Sequence, residues 1–327
     1  MFEYQINILY HYLIFKHNLC IGHISENIVI HHYLGGIMNN NILEFTSRQV
    51  MNSHDFEFFH YSDKRSFDVE YHNHDFYEIF FFISGRVKYI IEGKTYNLKP
   101  NDILLTNNKE LHKPVIENGV NYERIVIWVN PNFVKNIENS ETSLTLCFED
   151  SSKNHYNLLR PNINLFHGIK KIYEKLEKAY NSNNYGDTLL RKIYMTELLI
   201  YLNRAYFDTS KEIEIDIEHN SKISDVVHYI NENLCEDLSL DTLSQKFYIS
   251  KYHLSRQFKQ YVGFTIHQYI SKKRIIITKI HLHDGASIDS AYIDSGFNNY
   301  PNFLKAFKDE FGFSPKKYVK SLAENKL

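Results

Sequence analysis

Cysteine is scarce in this 327-residue chain: Cys20, Cys147 and Cys235 stand far apart, odd in number and without a CxxC pair. That spacing excludes a disulfide framework and a thiolate metal cluster, and it suits a reducing, cytoplasmic setting. No apolar run reaches the roughly 20 residues of a membrane span, so no membrane partner is expected. The aromatic opening MFEYQINILYHYLIFKHNLC lacks both a basic start and a small-residue cleavage site, which argues against a signal peptide. One further absence is local. Between Thr242 and His283 there is no Asp or Glu, against eight Lys or Arg.

The net charge of -2 conceals an asymmetry. From Lys222 to the end there are 15 Lys and Arg against 11 Asp and Glu, a balance of +4; the remainder carries 22 against 28, or -6. A basic C-terminal part joined to an acidic N-terminal part points to a polyanion partner for one of them only. The length allows two domains with separate cores.

Residues from about 56 to 130, within a candidate domain of 56–160, read as short strands. Tyr77 to Ile83, Val87 to Ile91, Thr95 to Leu98, Ile103 to Leu105 and Glu123 to Val129 are separated by Ser84-Gly85, Glu92-Gly93-Lys94 and Pro100-Asn101-Asp102. Such punctuation predicts an antiparallel sandwich or barrel rather than βαβ units. The period changes near Asn164. Leu165, Ile169, Ile172 and Leu176 recur at helical spacing, and a second helix is predicted from Asp187 to Tyr206. This hairpin, within 161–207, either covers the β domain or forms a dimer interface. The polar, acidic stretch 208–221 suits a linker. Residues 1–55 are an N-terminal extension and lead-in, of which 1–37 are read as lying upstream of the fold.

From Lys222 to the end (222–327) the pattern is one of consecutive short helices. ISKYHLSRQFKQYVGFT (Ile249 to Thr265) repeats 49 residues later as NNYPNFLKAFKDEFGFS (Asn298 to Ser314), pairing Arg256 with Lys305, Phe258 with Phe307, Lys259 with Lys308 and Gly263 with Gly312. Ser239, Ser250, Ser287 and Asn299 are placed as helix N-caps. Leu254 and Phe258, then Phe303 and Phe307, face inward, which leaves Lys251, Tyr252, Ser255, Arg256 and Lys259, and Tyr300, Asn302, Lys305 and Lys308, on outer faces. Two helix-turn-helix units, 239–262 and 287–311, would each lay a basic helix along DNA. Lys272 and Lys273 are expected at phosphates or in solvent.

Residues 222–320 closely resemble the DNA-binding domain of the AraC/XylS family of bacterial transcription regulators. The most specific part is Ser295-Gly296-Phe297, Phe303, Phe307-Lys308, Phe311-Gly312, Ser314-Pro315 and Tyr318. The resemblance implies two recognition helices in successive major grooves of promoter half-sites, with Tyr252, Ser255, Arg256, Tyr300, Asn302 and Lys305 meeting bases or nearby backbone. It also implies contact with RNA polymerase, activation and control by a small-molecule effector; Phe76, Tyr77, Tyr89 and Tyr96 could stack on a sugar, and a homodimer is expected from the common two-fold symmetry of bacterial oligomers. Family members often carry Arg where this chain has Lys305, and Lys cannot make the same two-pronged contact.

His72-Asn73-His74-Asp75-Phe76-Tyr77-Glu78 and Gly85 have the spacing HxHx3Ex6G, which resembles the first cupin motif. On an extended strand, positions 72, 74 and 78 share a face, and His112 supplies the fourth member as in cupins. The second cupin motif departs in its spacing. His72, His74, Glu78 and His112 are therefore expected to bind the effector, with no metal, no cofactor and no catalysis; a cupin metalloenzyme with an appended helical domain is the alternative. The expected fold class is α+β multidomain: an antiparallel, cupin-like β-sandwich or barrel, a helical hairpin and an all-α double helix-turn-helix.

Overall fold

Strict alternation along two strands organises the N-terminal half. In β3 (Tyr77–Ser84), Tyr77, Ile79 and Phe81 face one hydrophobic cluster, while Phe80 and Phe82 face another; in β8 (Tyr122–Val129), Ile125, Ile127 and Val129 oppose Val126 and Trp128 in the same way. Side chains alternate across a pleated strand, so a strand apolar at every position is buried on both faces. A computed structural model describes residues 42–43, 50–64, 69–150, 156–208 and 211–324. The expectation for residues 1–37 lies outside them.

Two sheets face each other. One runs β1 (Ile42–Leu43), β2 (Phe56–Asp63), β8, β3, β6 (Ile103–Thr106) and β9 (Leu158–Leu159); β1 is parallel to β2 and the other pairings are antiparallel. The other runs β10 (Ile217–Glu218), β5 (Lys94–Asn97), β4 (Val87–Ile91) and β7 (His112–Ile116). Phe80, Phe82, Tyr89, Tyr96, Tyr122, Val126 and Trp128 fill the space between them. The antiparallel β-sandwich is the one the strand punctuation predicts. Sequence reading named no strand at β1, β2, β7, β9 or β10 and neither of two short helices, α1 (Pro131–Ile137) and α2 (Leu146–Glu149).

The opposite face of the first sheet is covered by α3 (Ile163–Tyr180) and α4 (Asp187–Asp208). Asn162 caps α3 by accepting from the Asn164 and Leu165 amides. Ile169, Ile172, Tyr173 and Leu176 of α3 join Met195, Leu198 and Leu202 of α4 against Ile79, Phe81 and Ile127. The hairpin thus covers the β domain. Leu189 and Ile193 of α4 remain exposed.

Residues 208–221, read as a linker, carry a 3-10 turn (Lys211–Asp216) and β10, which pairs with β5. Charge holds them there: Asp216 accepts from Arg160 Nη1 at 2.7 Å and from Lys99 Nζ at 2.5 Å, and Arg160 also grips buried Asp102. A polar composition led to the linker reading because ion pairs across sheet edges leave no periodicity.

The C-terminal half is α5 (Ser221–Glu232), α6 (Leu240–Lys246), α7 (Lys251–Val262), α8 (Ile266–His283), α9 (Ile288–Asp294), α10 (Tyr300–Phe311) and α11 (Pro315–Glu324). The four expected caps are in place, with Ser239, Ser250, Ser287 and Asn299 accepting from the amides of Thr242, His253, Ser290 and Asn302. Thr265 and Gln268 add a reciprocal capping box at α8. Leu254 and Phe258 lie in one core, and Phe303 and Phe307 in a second.

Gly296, between α9 and α10, has φ of 90°, and a Cβ built there would stand 2.0 Å from the Leu234 carbonyl oxygen. Backbone cannot yield as a side chain can. Gly296→Ala is expected to destabilise the helical half by at least about 1–3 kcal/mol, read by chemical denaturation; an unchanged midpoint would show that the turn can open.

Candidate nucleic-acid interface and buried histidine site

On α7, Lys251, Tyr252, Arg256 and Lys259 are exposed and Ser255 is half-buried. On α10, Tyr300, Asn302, Lys305 and Lys308 are exposed. Each helix buries an apolar stripe and ends on a left-handed glycine, Gly263 at φ 85° and Gly312 at φ 73°, so the repeat seen in sequence is also a repeat of caps. The cations differ in freedom. Lys251 is ion-paired with Asp241 of α6, whereas among the described residues no carboxylate is paired with Arg256, Lys259, Lys305 or Lys308.

The four cations of α8 serve the fold rather than a free surface. Lys273 is buried and donates to Glu92 Oε1 at 3.0 Å and to the Lys109 carbonyl at 2.6 Å. Lys272 pairs with Glu310 of α10 at 2.7 Å. Arg274 donates to the Leu234 carbonyl at 2.9 Å, and Lys279 pairs with Asp75 at 2.6 Å. Lys273 is therefore not a solvent-facing phosphate contact, while Lys272 is half-buried and held by Glu310; a helix placed between two cores and a sheet finds partners for its charges.

Sequence reading passed over Glu92 as a turn residue. It sits at φ 49° between β4 and β5. Its carboxylate accepts from the Leu111 amide at 2.7 Å, Asn231 Nδ2 at 3.2 Å, Lys273 Nζ and the Tyr269 hydroxyl. Three of these donors belong to α5 and α8. Next to it, Gly93 would place a Cβ 3.0 Å from Val262 at the end of α7. A cavity of about 280 Å³ opens here, lined by Glu92, Lys94, Glu110, Asn231 and Lys273 among others. Nothing in the local sequence distinguishes this turn from any surface turn.

The predicted histidine set does assemble, though not by sharing one strand. Of its members only Glu78 lies in β3; His72 forms an isolated bridge with His112, and His74 turns back to give its Nδ1 proton to the Phe76 carbonyl at 2.8 Å. His74, Glu78 and His112 are buried with ligating atoms within 4.8 Å of one another. His72 stands at the rim, its ring 4.4 Å from that of His112 and 6.2 Å from that of His74.

Burial sets the charge states. It lowers the His74 imidazole to about 3, with further repulsion from His72, and holds His112 well below the ordinary histidine range. His72 is lowered for the same reason. Burial raises Glu78 to about 7, opposed by donation from Trp128 Nε1 at 3.1 Å and Tyr89 OH at 3.2 Å. The site is a buried, polar recess with neutral imidazoles.

Each histidine adjoins a residue that touches the C-terminal helices. Tyr71, before His72, packs on Phe264 with rings 5.0 Å apart and lies over Gly263. Asp75, after His74, pairs with Lys279. Leu111, before His112, is buried in the core formed by α5, α7 and α8.

Residues 57–199 match the family model for an AraC-like ligand binding domain, and residues 243–321 match one for a helix-turn-helix domain. The HTH-type transcriptional activator RhaS of Salmonella schwarzengrund (strain CVM19633) is 22% identical over 247 residues, 75% of this chain and 85% of the relative. RhaS of Escherichia coli (strain SE11) is 21% identical over 252 residues, 76% and 87% of the two chains. Among solved structures, unsaturated fatty acid-bound ToxT from Vibrio cholerae has a TM-score of 0.35 and 17% identity, covering 82% of this chain and 96% of that one. No described helix is long and apolar enough to cross a membrane.

Removing one partner of a buried ion pair strands the other. Lys273→Ala is expected to cost about 3–5 kcal/mol, and Glu92→Gln in the same background to restore part of it. Strictly additive losses in thermal or urea denaturation would show that the two are not coupled.

Proposed function

We propose, for a chain that belongs to the AraC/XylS family of transcription regulators, that an effector seated at His72, His74, Glu78 and His112 sets how firmly the β domain holds the double helix-turn-helix. The chain is an effector-controlled, DNA-binding regulator; the site, the coupling and the outcome of binding are what we add. The adjacency of the three histidines to Tyr71, Asp75 and Leu111 carries this reading. A ligand that draws His72, His74 and His112 together shifts the backbone of the residues beside them. It thereby favours one placement of α7 and α8 over another by its differential affinity.

On DNA, α7 and α10 act as the recognition helices. Arg256 reads a base, with Tyr252, Ser255, Tyr300, Asn302 and Lys305 at bases or adjacent backbone; Lys251, Lys259 and Lys308 meet phosphates. Lys305 gives a point charge rather than a planar fork, so the second helix reads sequence less sharply than the first. The curated relatives are transcriptional activators, which supports activation here through contact with RNA polymerase. The exposed Leu189 and Ile193 of α4 suit a homodimer on paired half-sites in the cytoplasm. In this reading the chain catalyses nothing.

Arg256→Ala is expected to remove about 1–3 kcal/mol of discrimination between operator and random duplex in a competition binding assay. Lys259→Ala and Lys308→Ala should instead weaken all duplexes alike, each reducing the salt slope by about 0.9. If Arg256→Ala leaves the sequence preference intact, α7 is not the reading helix. For the coupling, Tyr71→Ala should change operator affinity in effector-free protein without touching any DNA-facing residue; equal affinity would remove the transmission route.

A further inference from the structure

We infer that Tyr248, in the turn between α6 and α7, is a further DNA contact, its hydroxyl donating to a phosphate oxygen beside the groove that α7 enters. The inference rests on α7 being a reading helix, and adds a residue that the repeat and the basic pattern did not single out.

The starting observation is backbone strain in an exposed place. Tyr248 has φ of 53°, and among the described residues only Glu92 and Asn101 share a left-handed backbone without being glycine. Glu92 has a reason in the four donors that meet its carboxylate. Asparagine tolerates this region better than bulky side chains do. Neither reason applies to Tyr248. Its backbone amide donates to the Gln245 carbonyl at 3.3 Å, but its ring and hydroxyl have no partner among the described residues, and it is 95% exposed. A lone exposed aromatic is ordinary on a protein surface. One that is also strained, and touches nothing, gives the fold no return.

The second unit shows what the turn itself prefers. α6 ends at Lys246 and α9 at Asp294, and in each unit the second residue past the helix is the left-handed one, Tyr248 and Gly296. Glycine adopts that backbone without a steric penalty. Gly296 is also crowded against the Leu234 carbonyl, where no Cβ fits. Tyr248 stands in open solvent instead, so the same turn here has room for a side chain, and one of the largest occupies it.

Position supplies the return. In a helix-turn-helix the first helix crosses the phosphate backbone, while the second lies in the major groove with its N-terminal residues at the bases. The turn that joins them therefore stands at the wall of the groove. Tyr248 lies just ahead of the Ser250 cap of α7 and of exposed Tyr252 in its first turn. Local charge suits a polyanion: no Asp or Glu occurs between Thr242 and His283, and the Asp241 carboxylate is taken by Lys251. A tyrosine offers a stiff ring and one hydroxyl donor, and a phosphate oxygen accepts. Such a contact fixes register on the duplex without reading a base.

The test compares Tyr248→Phe and Tyr248→Gly with the unaltered full chain, by anisotropy titration of labelled operator and random duplex across a salt series and by thermal denaturation. Tyr248→Phe keeps the ring and loses only the hydroxyl. It is expected to weaken both duplexes alike, by about 10-fold. The salt slope should stay as it was, because a neutral donor releases no counterion. Tyr248→Gly is expected to lose at least as much affinity while its melting temperature is unchanged or higher. Stability and affinity moving apart in this way mark a DNA contact rather than a structural residue. Unaltered affinity in both variants would overturn the inference; a fall in transcription alone would then assign the ring to the polymerase. A lowered melting temperature in Tyr248→Gly would overturn it too, by giving the ring a role in the fold. Arg256→Ala, measured alongside, keeps the two ideas apart. Preference lost there, with both Tyr248 variants binding normally, removes Tyr248 alone. Preference intact there, with both Tyr248 variants weakened, keeps the contact and removes α7 as the reader.

Discussion

The grip of a single carboxylate on two domains underlies the arrangement of this chain. Glu92 projects from a tight turn with left-handed backbone and collects donors from Tyr269, Lys273 and Asn231, besides the amide of Leu111. Of these partners only Lys273 supplies counter-charge, so its loss strands a half-buried carboxylate while loss of a neutral donor removes one hydrogen bond. Asp75 extends the contact along α8 through Lys279, and Tyr71 adds to it at Gly263 and Phe264 just before that helix; together they place the sensing domain against the segment that joins the two DNA-binding units.

The local lack of acidic residues from Thr242 to His283 takes on a divided meaning. Half of the eight cations stand on α6 and α7, where Arg256 and Lys259 face outward; the other half, on α8, are matched by Glu310, Glu92 and Asp75 and by the Leu234 carbonyl. A basic stretch in sequence is thus two things in space: an outward face for a polyanion and a set of internal clamps whose counter-charges come from elsewhere in the chain.

How much could be read beforehand followed from how local the cause was. Five of the strands between Tyr77 and Val129, the α3–α4 hairpin, the caps at Ser239, Ser250, Ser287 and Asn299 and the buried stripes of α7 and α10 all arise within a few residues, and all were legible, whereas β7 was not. The histidine spacing also pointed to residues that the fold brings together, although β3 holds only Glu78 and the His72–His112 bridge brings in others. Glu92, the burial of Lys273 and the tethering of the 3-10 turn by Arg160 were not legible. Their causes lie between residues 56 and 181 positions apart, and a charged side chain looks the same in sequence whether it meets water or a partner.

The connecting helix has a consequence for the shape of the target. α8 runs 18 residues, about 27 Å at 1.5 Å per residue, with Ile270 in one core and Leu282 in the other. Tied further by Lys272 to Glu310, it behaves as a strut that sets the distance between reading heads before any duplex arrives. A site whose grooves fall at another interval can be engaged at both ends only by bending, so local stiffness of the intervening base pairs becomes part of what is recognised, at positions no side chain touches.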